Sequence, residues 1–346
     1  MTIMRKLYEH TYAHIKHAVI DLTLSSNPCR ASPHVAAAIK NYAENVHDYP
    51  DSAQLTAAIA EHHNVSVDNV LVGSGANQII EDILKIYALN CGIITSSATF
   101  PEPIACITTL GGYAKSIPLL GDYNVDLNGL LNGVDNNVSM IYLCNPNNPT
   151  GLWLDPKKII AMADSSSVPI LLSEVGADFI GDSVINHKIH RNIIVVRSFS
   201  KAYGLAGMRI GYIVAEAKNI AYIKRRLGSY RTSSIAMQAA LAALHDQEHL
   251  RASINYILNE KSYLMSEMYK LGFEAIPSQG QTFIAKVPPC FIDANGFCEY
   301  IAAHGVAVVN CSLYEGLERY IRISPQKHHI NEQFILIITE IIKELL

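Results

Sequence analysis

Short runs of consecutive apolar residues recur along the first two thirds of the chain, each followed by a polar turn and an amphipathic stretch. Residues 70–72, 93–95, 114–117, 138–143, 169–172 and 192–197 read as strands, with a further one at 208–214. The segments 77–89, 102–110, 127–131 and 156–163 between them carry helical spacing. Strands this apolar have no face to offer water, so the alternation predicts a mostly parallel sheet covered by helices on both sides, an α/β fold. Ahead of it, Asp21-Leu-Thr-Leu-Ser-Ser-Asn-Pro28 reads as an extended entry segment stopped by Asn-Pro. Ser32-Pro33 caps a helix running to residue 42, and a second helix spans 53–63.

The pattern changes near residue 231. Long helices at 233–245 and 248–271 lead to short strands at 273–276, 282–287, 306–309 and 320–323, with helices at 293–304 and 331–345 to cover them. This predicts a smaller α+β domain. Residues 31–235 are assigned to the large domain, and residues 1–30 with 236–346 to the small domain and its N-terminal arm. No repeat or low-complexity segment interrupts either part.

Composition narrows the class without naming a function. Hydrophobic residues make up 49% and charged residues 17% of 346, with a net charge of -4, which gives no reason to expect nucleic acid or a membrane surface as partner. Residues 1–21 mix Arg5, Lys6, Glu9 and Lys16 with three histidines, unlike a secretory signal. Seven dispersed cysteines without a Cys-x-x-Cys pair read as reduced thiols, consistent with a cytoplasmic location. The histidines at 10, 14 and 17 and the doublets at 62–63 and 328–329 lack a metal-binding pattern, and no metal site is expected.

Candidate chemistry gathers where ligands of such sheets bind, at the carboxyl ends of strands. Gly73-Ser-Gly-Ala-Asn-Gln78 opens a helix after a strand and leaves backbone N–H groups for an anion. The third glycine of a dinucleotide fingerprint is absent. Asn145-Pro-Asn-Asn-Pro-Thr-Gly151 fixes its backbone with two prolines and presents amides. Ser198-Phe-Ser-Lys201, with Arg209 eight residues further, offers two hydroxyls and a guanidinium to a phosphate and an amine beside them. Taken alone, that stretch reads equally as a turn with a solvated lysine. Its convergence with Thr99-Phe100 and the other turns on one sheet edge favours a site.

Together these motifs resemble the pyridoxal-phosphate aminotransferases of fold type I, most of all the branch of histidinol-phosphate aminotransferase and threonine-phosphate decarboxylase. The resemblance covers residues from about 20 to the end and is carried by Asn145 to Gly151 and Ser198 to Arg209, with Gly-Leu-Glu-Arg-Tyr-Ile-Arg322 in support. It implies pyridoxal 5′-phosphate as cofactor, with Lys201 as the Schiff-base lysine that also moves the α-proton. It further implies phosphate ligands at Ser198, Ser200 and Arg209, and helix N-terminal contacts from Gly75, Ala76 and Asn77. Phe100 corresponds to the aromatic stacked on the pyridine ring, and Asn148 to the asparagine on its phenolic oxygen. Tyr49 corresponds to a tyrosine reaching the phosphate of a neighbouring subunit, which implies a homodimer with shared sites. Arg322 corresponds to the arginine that grips the substrate carboxylate.

The chain departs from that family in two places. Where the family has Asp-Glu-x-Tyr, this sequence has Ser173-Glu-Val-Gly176. Side chains alternate along a strand, so Ser173 rather than Glu174 is expected at the pyridine nitrogen, and Asp178 lies too far along. A hydroxyl cannot hold a pyridinium as a carboxylate does, so a weaker electron sink is expected. The arm reads Ser25-Ser-Asn-Pro28 for the family's Asn-Glu-Asn-Pro, leaving Asn27, Arg30 and Arg231 as candidates for the substrate side chain. The reading is an aminotransferase acting on an amino acid and a 2-oxo acid. A lyase performing β-elimination, β-replacement or decarboxylation is the alternative, and a cofactor-binding protein without turnover the third.

Overall fold

A computed structural model describes residues 19–345. The histidines at 10, 14 and 17 and most of the expected N-terminal arm lie outside the described residues.

Thirteen strands are described. β1 is Ile20–Asp21, β2 Val70–Gly73, β3 Gly92–Ser96, β4 Tyr113–Ile117, β5 Val138–Cys144, β6 Ile170–Ser173, β7 Ile193–Ser198 and β8 Gly211–Ala215. β9 is Glu274–Ala275, β10 Phe283–Lys286, β11 Val306–Ala307, β12 Val309–Asn310 and β13 Tyr320–Ile323. The large sheet has the order β2-β8-β7-β6-β5-β3-β4, and only β8 runs against its neighbours. The expected strand at 208–214 starts late. Ala206–Met208 is a 3-10 turn and Arg209 takes a left-handed conformation with φ 52°, so extended backbone resumes only at Gly211.

Both faces of the sheet are buried, as its apolar strands require. Ile141, Leu143, Ile170, Leu172 and Val195 face one core. Their neighbours Met140, Tyr142, Leu171, Ile194 and Val196 face the other, against the helix Ala76–Tyr87. The period-2 alternation of a strand divides each run between the two cores. Helix starts follow the local sequence. Ser32 accepts from the N–H of His34 ahead of Pro33, and Asp155 accepts from Lys157 N ahead of Pro156.

The second core, around Phe283, Phe297, Ile321 and Phe334, lies under the antiparallel sheet β12-β13-β10-β9. The long helix Gln247–Lys270 joins the two, with Leu250 and Ile257 in the first core and Leu264 and Met268 in the second. The expected strand at 306–309 divides in two, because Val306–Ala307 pairs with β1 while Val309–Asn310 pairs with β13. No helix among the described residues is long and apolar enough to cross a membrane.

Candidate active site

β5, β6 and β7 end side by side at Cys144, Ser173 and Ser198, and a cavity of about 520 Å³ opens beyond them. The turn after β5 divides its three asparagines between architecture and site. Asn145 bonds both backbone groups of Leu154, its Oδ1 accepting from N at 2.8 Å and its Nδ2 donating to O at 3.0 Å. Asn147 donates to Ala98 O at 3.0 Å. Asn148 faces the cavity, where its Oδ1 accepts from Arg322 Nη1 at 2.7 Å. That bond leaves its Nδ2 hydrogens as donors toward the cavity.

After β7 the chain alternates between core and cavity. Phe199 is fully buried against Tyr203 and Tyr212, while Ser198, Ser200 and Lys201 line the cavity. Ser198 Oγ accepts from Ser200 N at 3.0 Å, so its own hydrogen is directed elsewhere. Arg209 joins them from the far side of the turn, next to Gly75 at the start of the helix Ala76–Tyr87. Gly75 has φ +85°, and a Cβ on it would stand 2.8 Å from Arg209 Nη2. Glycine is required there for both reasons. The result is an anion cradle of two hydroxyls, a guanidinium and a helix N-terminus. The Asn77 side chain is engaged by Glu102, so its backbone N–H is what it offers the cradle. Burial raises the pKa of Glu102, and Arg209 opposes that shift.

Lys201 stands at the edge of this cradle. Burial first, then the charges of Arg322 and Arg209, push its amine down to about 8. A lysine so placed keeps a far larger neutral fraction near physiological pH than an exposed one, and that fraction can act as a nucleophile. Arg322 is itself buried at 4% exposure, and a second amino group donates to Thr23 O.

The end of β6 places the two acidic-motif residues on opposite sides. Ser173 lines the cavity. Glu174 is turned away, accepting from Val184 N at 3.0 Å and from the Ser183 hydroxyl, with Arg197 Nη1 at 3.6 Å. Arg197 also pairs with Asp178 at 2.6 Å, so neither carboxylate faces the cavity.

Phe100 lines the cavity, as do Ala76 and Asn77. Four other candidates are not brought to it in this subunit. Tyr49 is 78% exposed and lies against Tyr230, with ring centroids 4.7 Å apart. Asn27 donates to Ala202 O and accepts from Cys29 N. Arg30 sits in a left-handed turn with its side chain in solvent, and Arg231 pairs with Asp82 at 2.6 Å. Residues that sequence reasoning did not single out also line the cavity: Val175, Cys144, Glu102, residues 23–26 and Gln281. Strand alternation from Ser173 points to Val175. Nothing in the sequence points to Gln281, which arrives from the second sheet.

A family model described as aminotransferase class I and II matches residues 18–335. The histidinol-phosphate aminotransferase of Methanothermobacter thermautotrophicus is 31% identical over 337 residues, covering 94% of this chain and 89% of that protein. That of Desulfotalea psychrophila is 30% identical over 339 residues, covering 94% and 88%. Among solved structures, the histidinol-phosphate aminotransferase of Sinorhizobium meliloti in complex with pyridoxal-5′-phosphate has a TM-score of 0.86 at 24% identity, covering 99% of this chain and 94% of that one. The L-threonine-O-3-phosphate decarboxylase of Porphyromonas gingivalis has a TM-score of 0.78 at 21% identity, covering 94% and 100%. At these identities the two structures establish the fold.

Proposed function

The chain belongs to the class I and II aminotransferases, and from that membership we propose how its residues divide the work of amino transfer. The enzyme is a pyridoxal-phosphate-dependent aminotransferase. Its cavity suits that cofactor: an amine with a lowered pKa adjoins an anion cradle whose glycine leaves room for Arg209, and a fixed amide faces inward. When bound, the cofactor supplies an aldehyde for the amine and an electron-accepting ring that acidifies the α-proton of an amino acid.

Ser198, Ser200, Arg209 and the N–H groups of Ala76 and Asn77 hold the phosphate. Asn148 Nδ2 donates to the phenolic oxygen, its orientation set by Arg322. Phe100 and Val175 would flank the ring, and the Ser173 hydroxyl would be placed for its nitrogen. Arg322 would bind the substrate carboxylate, and Lys201 Nζ is placed to take the α-proton and return it. The amino donor is an amino acid, the acceptor a 2-oxo acid. Relatives named for histidinol phosphate make that amine, with a phosphate for Arg322 to hold, the first alternative donor to assay. The active unit is a cytoplasmic homodimer in which Tyr49 reaches the phosphate of the partner subunit's site.

The observation that carries this assignment is the convergence of Lys201 with the cradle of Ser198, Ser200 and Arg209 in one cavity. Purified protein given pyridoxal phosphate is expected to show imine absorbance and to catalyse amine transfer that depends on a 2-oxo acid. Lys201→Ala is expected to lose both. Release of ammonia or carbon dioxide in place of amine transfer would overturn the assignment.

A further inference from the structure

Gly176 stands where the related enzymes carry a tyrosine, and the space above it is occupied from another part of the chain. A Cβ on Gly176 would lie 2.7 Å from Gln281 Oε1 and 3.5 Å from its Nε2. Gln281 therefore reaches across from the small sheet and lays its carboxamide over the end of the β6 turn. Its carboxamide has no hydrogen-bond partner among the described residues, although the side chain lines the cavity. At the cavity wall the amide offers both a donor and an acceptor to whatever enters.

The backbone that carries it is held firmly. Lys261 Nζ donates to Ser278 O at 2.7 Å and to Gly280 O at 2.6 Å, from within the long helix. Gly280 N donates to Gly151 O at 2.9 Å, and Gln279 Oε1 accepts from Trp153 N at 3.1 Å. The turn is thus fixed both to the small domain and to the asparagine turn that presents Asn148. Gln281 and Arg322 line the same cavity. The phosphate cradle lies on the large sheet, so the wall they line belongs to the substrate.

We propose that Gln281 is a specificity-determining residue whose carboxamide contacts the side chain of the amino donor and selects neutral side chains able both to accept and to donate a hydrogen bond. Hydroxyl, carboxamide and imidazole groups meet that description. The inference rests on the placement of the substrate carboxylate at Arg322.

The test uses holoenzyme and α-methyl amino acids, which have no α-proton and are read by the change in cofactor absorbance on binding. Two pairs match in shape and differ in polarity: α-methylserine with isovaline, and α-methylasparagine with α-methylleucine. The parent enzyme is expected to prefer the polar member of at least one pair by about threefold to tenfold, the range of one neutral hydrogen bond. Gln281→Leu and Gln281→Ala are expected to abolish that preference while pyridoxal phosphate affinity and melting temperature stay within experimental error. A preference that survives in both variants overturns the inference alone, and so does a loss of cofactor affinity with the preference intact. If no α-methyl amino acid perturbs the parent spectrum, the substrate site at Arg322 falls and the inference falls with it.

Discussion

At the scale of single residues, the proposed chemistry turns on Lys201 and Ser173. An ordinary lysine titrates at 10.5, whereas Lys201 is brought to about 8 by burial and by two guanidiniums. Near pH 8 it carries on the order of a hundredfold more neutral amine than an exposed lysine would. Capture of pyridoxal phosphate by the apoenzyme is therefore expected to accelerate with rising pH, with its midpoint near 8, in stopped-flow absorbance. Stability carries the same signature. The folded value lies below the unfolded one, so between about pH 8 and 10.5 the unfolded chain binds more protons and Lys201 favours folding as pH rises through that window. In the proposed arrangement Ser173 is the counterpart at the ring nitrogen. Ser173→Asp places a carboxylate there, and a gain of about 1.5–3 kcal/mol in the transition state corresponds to roughly ten- to a hundredfold faster α-proton exchange. Exchange measured by NMR, with the cofactor spectrum alongside, checks this, and no change in either would remove Ser173 from the ring nitrogen. That Glu174 faces the other way was legible from alternation alone. What it faces, the Arg197–Asp178 pair, was not, because those partners come from another strand and a turn.

At the scale of elements, the ends of strands and helices do the positioning. Arg197 on β7 lies between Glu174 and Asp178, which follow β6, with all three side chains at most 7% exposed. Arg197→Leu leaves two buried carboxylates without their cation and is expected to cost about 3–5 kcal/mol in urea unfolding. Ser32 both caps the helix Pro33–Tyr42 and donates to Asp246 at the start of Gln247–Lys270. Ser32→Ala is expected to cost about 1–2 kcal/mol in the same measurement. The cap was readable from Ser32-Pro33, but its bond to Asp246 was not. The start of β8 shows the same limit. Residues 208–214 are apolar enough for a strand, yet Arg209 must turn left-handed to lay its guanidinium beside Gly75, and the strand yields its first residues to the site.

Across the whole molecule, the site is a joint product of two sheets and, in the proposed homodimer, of two subunits. Tyr49 lies at the surface beside Tyr230, away from this subunit's cavity. If it serves the partner's phosphate, Tyr49→Phe weakens pyridoxal phosphate binding by at least about tenfold, the worth of one hydrogen bond to a charged group. Fluorescence titration measures this, with size-exclusion chromatography expected to show an unchanged dimer. The large sheet, its buried faces and the turns bearing Asn148, Lys201 and Arg209 were all present in the order of residues, because strand period, helix caps and turn chemistry act over neighbours a few positions apart. Arg322 and Lys201 were each recognisable too, but only folding brings 121 positions of separation down to a shared cavity where one lowers the other's pKa. The same holds for Gln281 over Gly176. A glycine in the sequence marks a missing side chain, and only the packing of the second sheet against the first decides which distant residue takes its place.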